Sequence, residues 1–168
     1  MTMAMRNRKL YPGQATKGKY KSALRGKYYL SHPEKNLRNQ KFILFKSKLE
    51  AMFIRYLDSN PDVLKWDYEN PMNTIPYFDP VQQRQRHYIV DFVMWVKAGP
   101  ALLQEIWVEI KHSNETVPPK RGRNTIQYNE SVRTYATNMA KWRMAAKICE
   151  AKGKMFRVIT EKDLIKKI

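Results

Sequence analysis

Two carboxylates and a lysine stand out as residues whose types and spacing could do chemistry together. Asp91 lies inside the run RHYIVDFVMWV, and Glu109 and Lys111 lie in the later run WVEIK. Glu109 and Lys111 are two apart, so in a strand they project to the same face. If the two runs pair, Asp91 approaches both. Such charges on an otherwise apolar sheet are expensive unless they have work to do. Hard oxygen donors suit Mg²⁺ or Mn²⁺. Asp91, Glu109 and the backbone carbonyl of Ile110 would supply them, with Glu50 as a further acidic member. A cation held there would polarise a phosphoryl oxygen and make a bound water more acidic. Lys111 would position that water and offset charge building on phosphorus. The competing reading is an ordinary Glu109–Lys111 salt bridge with Asp91 at a strand edge.

The elements that must position these residues follow from periodicity. Phe42, Phe45, Leu49, Met52, Phe53, Tyr56 and Leu57 recur at three- and four-residue spacing, which predicts a helix from Gln40 to Asp58 bearing Glu50. Ser59-Asn60-Pro61 ends it. A strand is expected over Val63–Glu69, then a loop rich in Pro and Asn to about Arg84. A long β run over Arg86–Val96 carries Asp91. Lys97-Ala98-Gly99-Pro100 makes a turn. In the strand Leu103–His112, Ile106, Val108 and Ile110 share one face and Trp107, Glu109 and Lys111 the other. The two runs therefore predict an antiparallel hairpin. A long helix over Ile126–Lys152, a strand over Phe156–Thr160 and a short helix over Glu161–Ile168 complete the chain. The order α-β-β-β-α-β with a terminal helix is a mixed α/β layered domain.

Charge points to the partner. The 168 residues carry 32 Lys and Arg against 15 Asp and Glu, a formal +17. Residues 1–48 sum to +12, 49–118 to −4 and 119–168 to +9. So large an excess indicates a polyanion, most simply nucleic acid. An acidic centre between basic flanks suits a cation held beside phosphates. Residues 1–39 are expected as a basic arm and 40–168 as the folded domain. Lys17, Lys19, Lys21, Arg25 and Lys27 of the arm are candidate backbone contacts, with Tyr11, Tyr20, Tyr28 and Tyr29 available to stack on bases. Arg84, Arg86 and the loop residues Lys120, Arg121 and Arg123 are further phosphate-contact candidates by charge. Lys141 and Arg143 flank Trp142 and are open to two readings, a face turned to DNA and a solvated helix face, of which the second is the commoner case. His32, His87 and His112 are scattered. With one cysteine, Cys149, an internal disulfide or a cysteine zinc site is excluded. No apolar run reaches membrane-span length, and no secretory signal is read at the N-terminus.

A helix bearing Glu, a strand, a strand bearing Asp, a strand bearing Glu-x-Lys, then helix and strand, resembles the PD-(D/E)XK restriction-endonuclease-like core. Val90-Asp91 stands where that family usually has Pro-Asp, and the proline holds no metal. Five segments in order give a closer likeness: KGKYKSALRGKYYLSHPEKN, FKSKLEAMFIRYLDSNPDVLKWDYE, IPYFDPVQQRQRHYIVDF, WVEIK and YNESVRTYATNMAKWRMAAKICEAKGKMFRVITEKDL. From about Gly18 to the C-terminus the chain resembles the head-completion nucleases of T-even-like tailed phages. That resemblance implies a Mg²⁺-dependent endonuclease acting on packaged genome ends, with double-stranded DNA as substrate. It implies portal, neck or head-vertex proteins as partners. The place implied is the host cytoplasm during assembly, with the virion head or neck as the destination. By matching position, Glu50, Asp91, Glu109 and Lys111 are the implied active-site residues. Two other readings stay open: a structural DNA-binding neck protein, and a junction resolvase.

Overall fold

The computed structural model describes residues 25–123 and 125–165. Lys17, Lys19 and Lys21, with Tyr11 and Tyr20, lie outside the described residues. The elements run β1 (Gly26–Tyr29), β2 (Phe42–Phe45), α1 (Lys48–Ser59), β3 (Val63–Tyr68), β4 (Thr74–Asp79) and β5 (Arg84–Ile89). They continue with β6 (Phe92–Lys97), β7 (Leu103–Ile110), α2 (Ile126–Ala151), β8 (Met155–Ile159) and α3 (Glu161–Ile165). The central sheet has the order β3-β6-β7-β8. β3, β6 and β7 are antiparallel neighbours, and β8 lies parallel to β7. A parallel pair needs a long crossover, and α2 supplies it.

The sheet is covered on both faces. Trp66, Phe92, Val108 and Ile110 point to one side and pack with Leu49, Phe53, Ile54 and Leu57 of α1. Val93 and Trp107 point to the other and meet Ala145 and Cys149 of α2, together with Ile75, Tyr77 and Tyr88. The expected β6–β7 hairpin is present, with Phe92 opposite Val108 and Lys97 opposite Leu103. The alternation read along β7 also holds, since Val108 and Ile110 serve one core and Trp107 the other.

Three expected boundaries move. First, the helix begins at Lys48, not Gln40. The Ser47 hydroxyl accepts the Glu50 N–H at 3.1 Å and donates to Glu50 Oε1 at 3.0 Å, a reciprocal cap that starts the helix there. Phe42–Phe45 is instead a strand, with Ile43 and Phe45 buried and Phe42 and Leu44 exposed. It pairs antiparallel with β1. Gly26 in β1 leaves room for the Phe45 ring, which a Cβ there would approach to 2.8 Å and force to shift.

Second, the last part of the expected arm belongs to the folded body. Asp58 at the end of α1 accepts the N–H groups of Ser31 and His32 at 2.8 and 2.9 Å. Lys35 Nζ donates to the carbonyls of Leu57, Asp58 and Asn60, capping the open end of α1.

Third, the expected single strand Arg86–Val96 is two. It breaks at Val90-Asp91, and its halves join different sheets. β5 folds back on β4, within the stretch expected as loop, from Thr74 opposite Ile89 to Asp79 opposite Arg84. The buried residues Ile75, Tyr77 and Asp79 alternate with exposed Thr74, Pro76 and Phe78. That face lies on α2, where Thr137 Oγ1 reaches Asp79 Oδ1 at 3.3 Å.

Candidate active site

Asp91 sits at the break between β5 and β6, where the chain changes sheets. Its carbonyl accepts the Glu69 N–H at 2.8 Å, and its Oδ2 accepts the Ile110 N–H at 2.8 Å. The second bond fixes the carboxylate against the end of β7, next to Glu109. Burial, and then the charge of Glu109, push the Asp91 carboxyl up to about 8; Glu50 adds to this, while the Ile110 N–H and Lys111 oppose it.

Glu109 is 4% exposed and faces Lys141 and Trp142 of α2. Burial raises its pKa, against the pull of Lys111, Lys141 and the Trp142 indole. Lys111 Nζ stands 3.5 Å from Glu109 Oε1. Burial by itself would lower the lysine's pKa, but Glu109, Asp91 and Glu115 outweigh it and the pKa rises. The Lys111 N–H donates to the Ile159 carbonyl at 3.0 Å, so its backbone is tied to β8.

Glu50 approaches from α1. Its Oε2 accepts the Tyr68 hydroxyl at 2.6 Å and the Lys46 N–H at 2.9 Å, while Oε1 takes the Ser47 hydroxyl. Burial, and then Glu50, hold the Tyr68 phenol firmly protonated, so it is a fixed donor to this carboxylate. Glu50 thus caps its helix and also adds its charge to the field at Asp91.

A divalent cation sets its own demands on the donor set. Among the described residues, no three Asp, Glu, His or Cys side chains converge closely enough to hold one ion. Asp91 and Glu109 remain as an adjacent pair whose burial and mutual repulsion both disfavour two bare charges. Mg²⁺ is commonly held by one or two carboxylates plus waters and substrate phosphates. The pair fits that pattern.

The chain matches the family model of the TnsA-like endonuclease N-terminal domain over residues 60–161. It is also 31% identical over 147 residues to the head completion nuclease of Enterobacteria phage T4, covering 84% of this chain and 94% of that protein. The chain belongs to this endonuclease family. The likeness read from its sequence segments is borne out. The TnsA-like match takes in Asp91, Glu109 and Lys111 but starts after α1, so Glu50 lies outside it.

The structure sorts the other candidates of this TnsA-like family member. Arg86 faces α2 and pairs with Asp79 at 3.3 Å. Arg84 is exposed and its Nε donates to Gln82 at 3.0 Å. Lys120, Arg121 and Arg123 are exposed in the segment that joins Lys111 to α2. Arg25 is exposed ahead of β1, and Lys27 Nζ lies 4.7 Å from the Phe42 ring centre. Sequence reasoning missed Tyr68, and it left Lys141 between a DNA-facing and a solvated reading, where the structure half-buries it. No local spacing marks either residue, because their partners come from distant segments.

Proposed function

We propose that this protein is a metal-dependent DNA endonuclease of the PD-(D/E)XK type, acting on packaged genome ends during phage head completion. The observation that carries the reading is the buried Asp91–Glu109 pair with Lys111 3.5 Å from Glu109, in a chain of an endonuclease family. The likeness to the T4 head completion nuclease supplies the setting.

Asp91, Glu109 and the Ile110 carbonyl would hold Mg²⁺ or Mn²⁺. When bound, the ion supplies Lewis acidity at the phosphoryl oxygen and lowers the pKa of water. The reaction is hydrolysis: a water oxygen attacks phosphorus and the P–O3′ bond breaks. The departing O3′ takes up a proton, leaving a 5′-phosphate and a 3′-hydroxyl. Lys111 orients the attacking water and offsets negative charge on the transition state. Glu50, steadied by Tyr68, directs its carboxylate charge toward Asp91 and orients water. Arg84, Arg86, Lys120, Arg121, Arg123, Arg25 and Lys27 hold the backbone by charge, as do Lys17, Lys19 and Lys21 in a basic arm. Contacts to phosphate read no sequence, so specificity is low. Portal, neck or head-vertex proteins are the partners of this reading. Its place is the assembling head, in the host cytoplasm.

The test is cleavage of plasmid and linear duplex in Mg²⁺, Mn²⁺ or EDTA by wild type, Asp91→Ala and Lys111→Ala, each first shown to be folded. Metal-dependent cutting lost in both variants supports the nuclease. Salt-sensitive binding without cutting by wild type would overturn it in favour of a structural DNA-binding role.

A further inference from the structure

Lys141 has no part in the chemistry set out so far. It lies in α2, half-buried. Its Nζ stands 5.5 Å from the centre of the Tyr88 ring and 5.8 Å from that of Tyr77. Those rings come from β5 and β4, so the inserted hairpin and the helix hold the ammonium between them. The Tyr88 hydroxyl also donates to the Lys141 carbonyl at 3.4 Å. That bond ties the α2 backbone at Lys141 to β5, beside the two rings.

The charge around Lys141 is unbalanced. Burial lowers its pKa, the attraction of Glu109 raises it, and Lys111 and Arg86 oppose it as like charges. Lys111 from the end of β7 and Lys141 from α2 therefore both act on Glu109, while Arg86 of β5 repels Lys141. Arg86 is matched by Asp79 at 3.3 Å and Lys111 by Glu109 at 3.5 Å. Lys141 forms no salt bridge among the described residues. Aromatic faces attract an ammonium, but they accept none of its hydrogen bonds as an oxygen would. A desolvated cation without an oxygen partner is costly to keep. A phosphate entering the site would supply both the charge and the oxygens.

We propose that Lys141 contacts a phosphate of the bound DNA strand, as a second substrate-touching lysine that reaches the site from α2. The proposal rests on the nuclease reading for the identity of the ligand. The rival is a lysine whose stem packs on tyrosine while its head serves only as a distant counter-charge to Glu109.

The experiment pairs Lys141→Met, which keeps the apolar stem, and Lys141→Arg, which keeps the charge, with a walk of single methylphosphonates along a short duplex. Each neutral linkage removes one phosphate charge. Cleavage is read in Mg²⁺, and affinity is read separately in EDTA. Wild type is expected to lose affinity and rate at one or two linkages near the cut. Lys141→Met is expected to cleave about 10- to 100-fold more slowly, with little change in melting temperature, and to show no further loss at one of those linkages. Lys141→Arg should restore part of the rate and the sensitivity to that linkage. Identical methylphosphonate profiles in wild type and Lys141→Met would overturn the proposal, as would Lys141→Met cleaving at the wild-type rate. If wild type binds but never cuts, the nuclease reading fails, and the affinity walk still decides whether Lys141 touches phosphate.

Discussion

Replacing Asp91 with Asn should stabilise the metal-free protein at neutral to alkaline pH. The carboxyl is pushed from 3.8 up to about 8 in the fold, first by burial and then by Glu109. A group whose folded pKa is raised binds its proton more tightly folded than unfolded. Its favourable contribution is complete below the unfolded value of 3.8 and is lost as pH rises through about 8. A tenfold difference in proton affinity between the folded and unfolded chains is worth about 1.4 kcal/mol, so the ceiling is roughly 6 kcal/mol. Glu109 competes for the same proton, and screening by solvent weakens the repulsion. We therefore expect a gain of about 1–3 kcal/mol at pH 8–9, or a melting temperature higher by about 2–12 °C. Asn can still accept the Ile110 N–H that Asp91 Oδ2 accepts at 2.8 Å, so the backbone anchor survives. The assay is thermal or urea unfolding of both proteins in EDTA from pH 5 to pH 9. The gap should widen across pH 5–8 and then level off. Adding Mg²⁺ at pH 8 should raise the melting temperature of wild type and leave the variant nearly unmoved. A gap independent of pH, or a variant less stable at pH 9, would refute the reasoning.

Three further outcomes are expected. Gly26→Ala should destabilise by about 1–3 kcal/mol, measured by urea unfolding, because its Cβ would lie 2.8 Å from the buried Phe45 ring. Ser47→Ala should cost about 1 kcal/mol in the same assay and lower cleavage as well, since Ser47 both starts α1 and holds Glu50. Replacing Lys120, Arg121 and Arg123 together with Ala should lessen the slope of log affinity against log salt by about 2–3. Melting temperature should barely change, because all three are exposed.

How far the molecule was legible depends on where each cause lies. The β6–β7 pair was readable because its information is local. Alternation places Glu109 and Lys111 on one face, and the turn at Lys97–Pro100 returns the chain so that Phe92 meets Val108. Asp91, Glu109 and Lys111 could therefore be named together from the sequence. The ends of the elements were less legible. Phe42–Phe45 is a four-residue apolar run that fits helix or strand until its partner Gly26–Tyr29 is known. Arg86–Val96 reads as one strand because both halves have β character. Only the competition between β4 and the central sheet splits it at Asp91.

The sequence by itself determined the residue types, the charge balance, the local periods and the family. Tertiary structure decided which buried charges share a site. The raised pKa of Asp91 comes from burial and from Glu109, which lies on another strand, and Glu50 is tied to Tyr68 across 18 positions. Lys141 gained its aromatic surroundings because a hairpin, one strand from a stretch read as loop and the other from the expected Arg86–Val96 strand, brings two tyrosine rings to α2. Burial and strand pairing are collective properties of segments far apart in the chain. A window a few residues wide has no access to them.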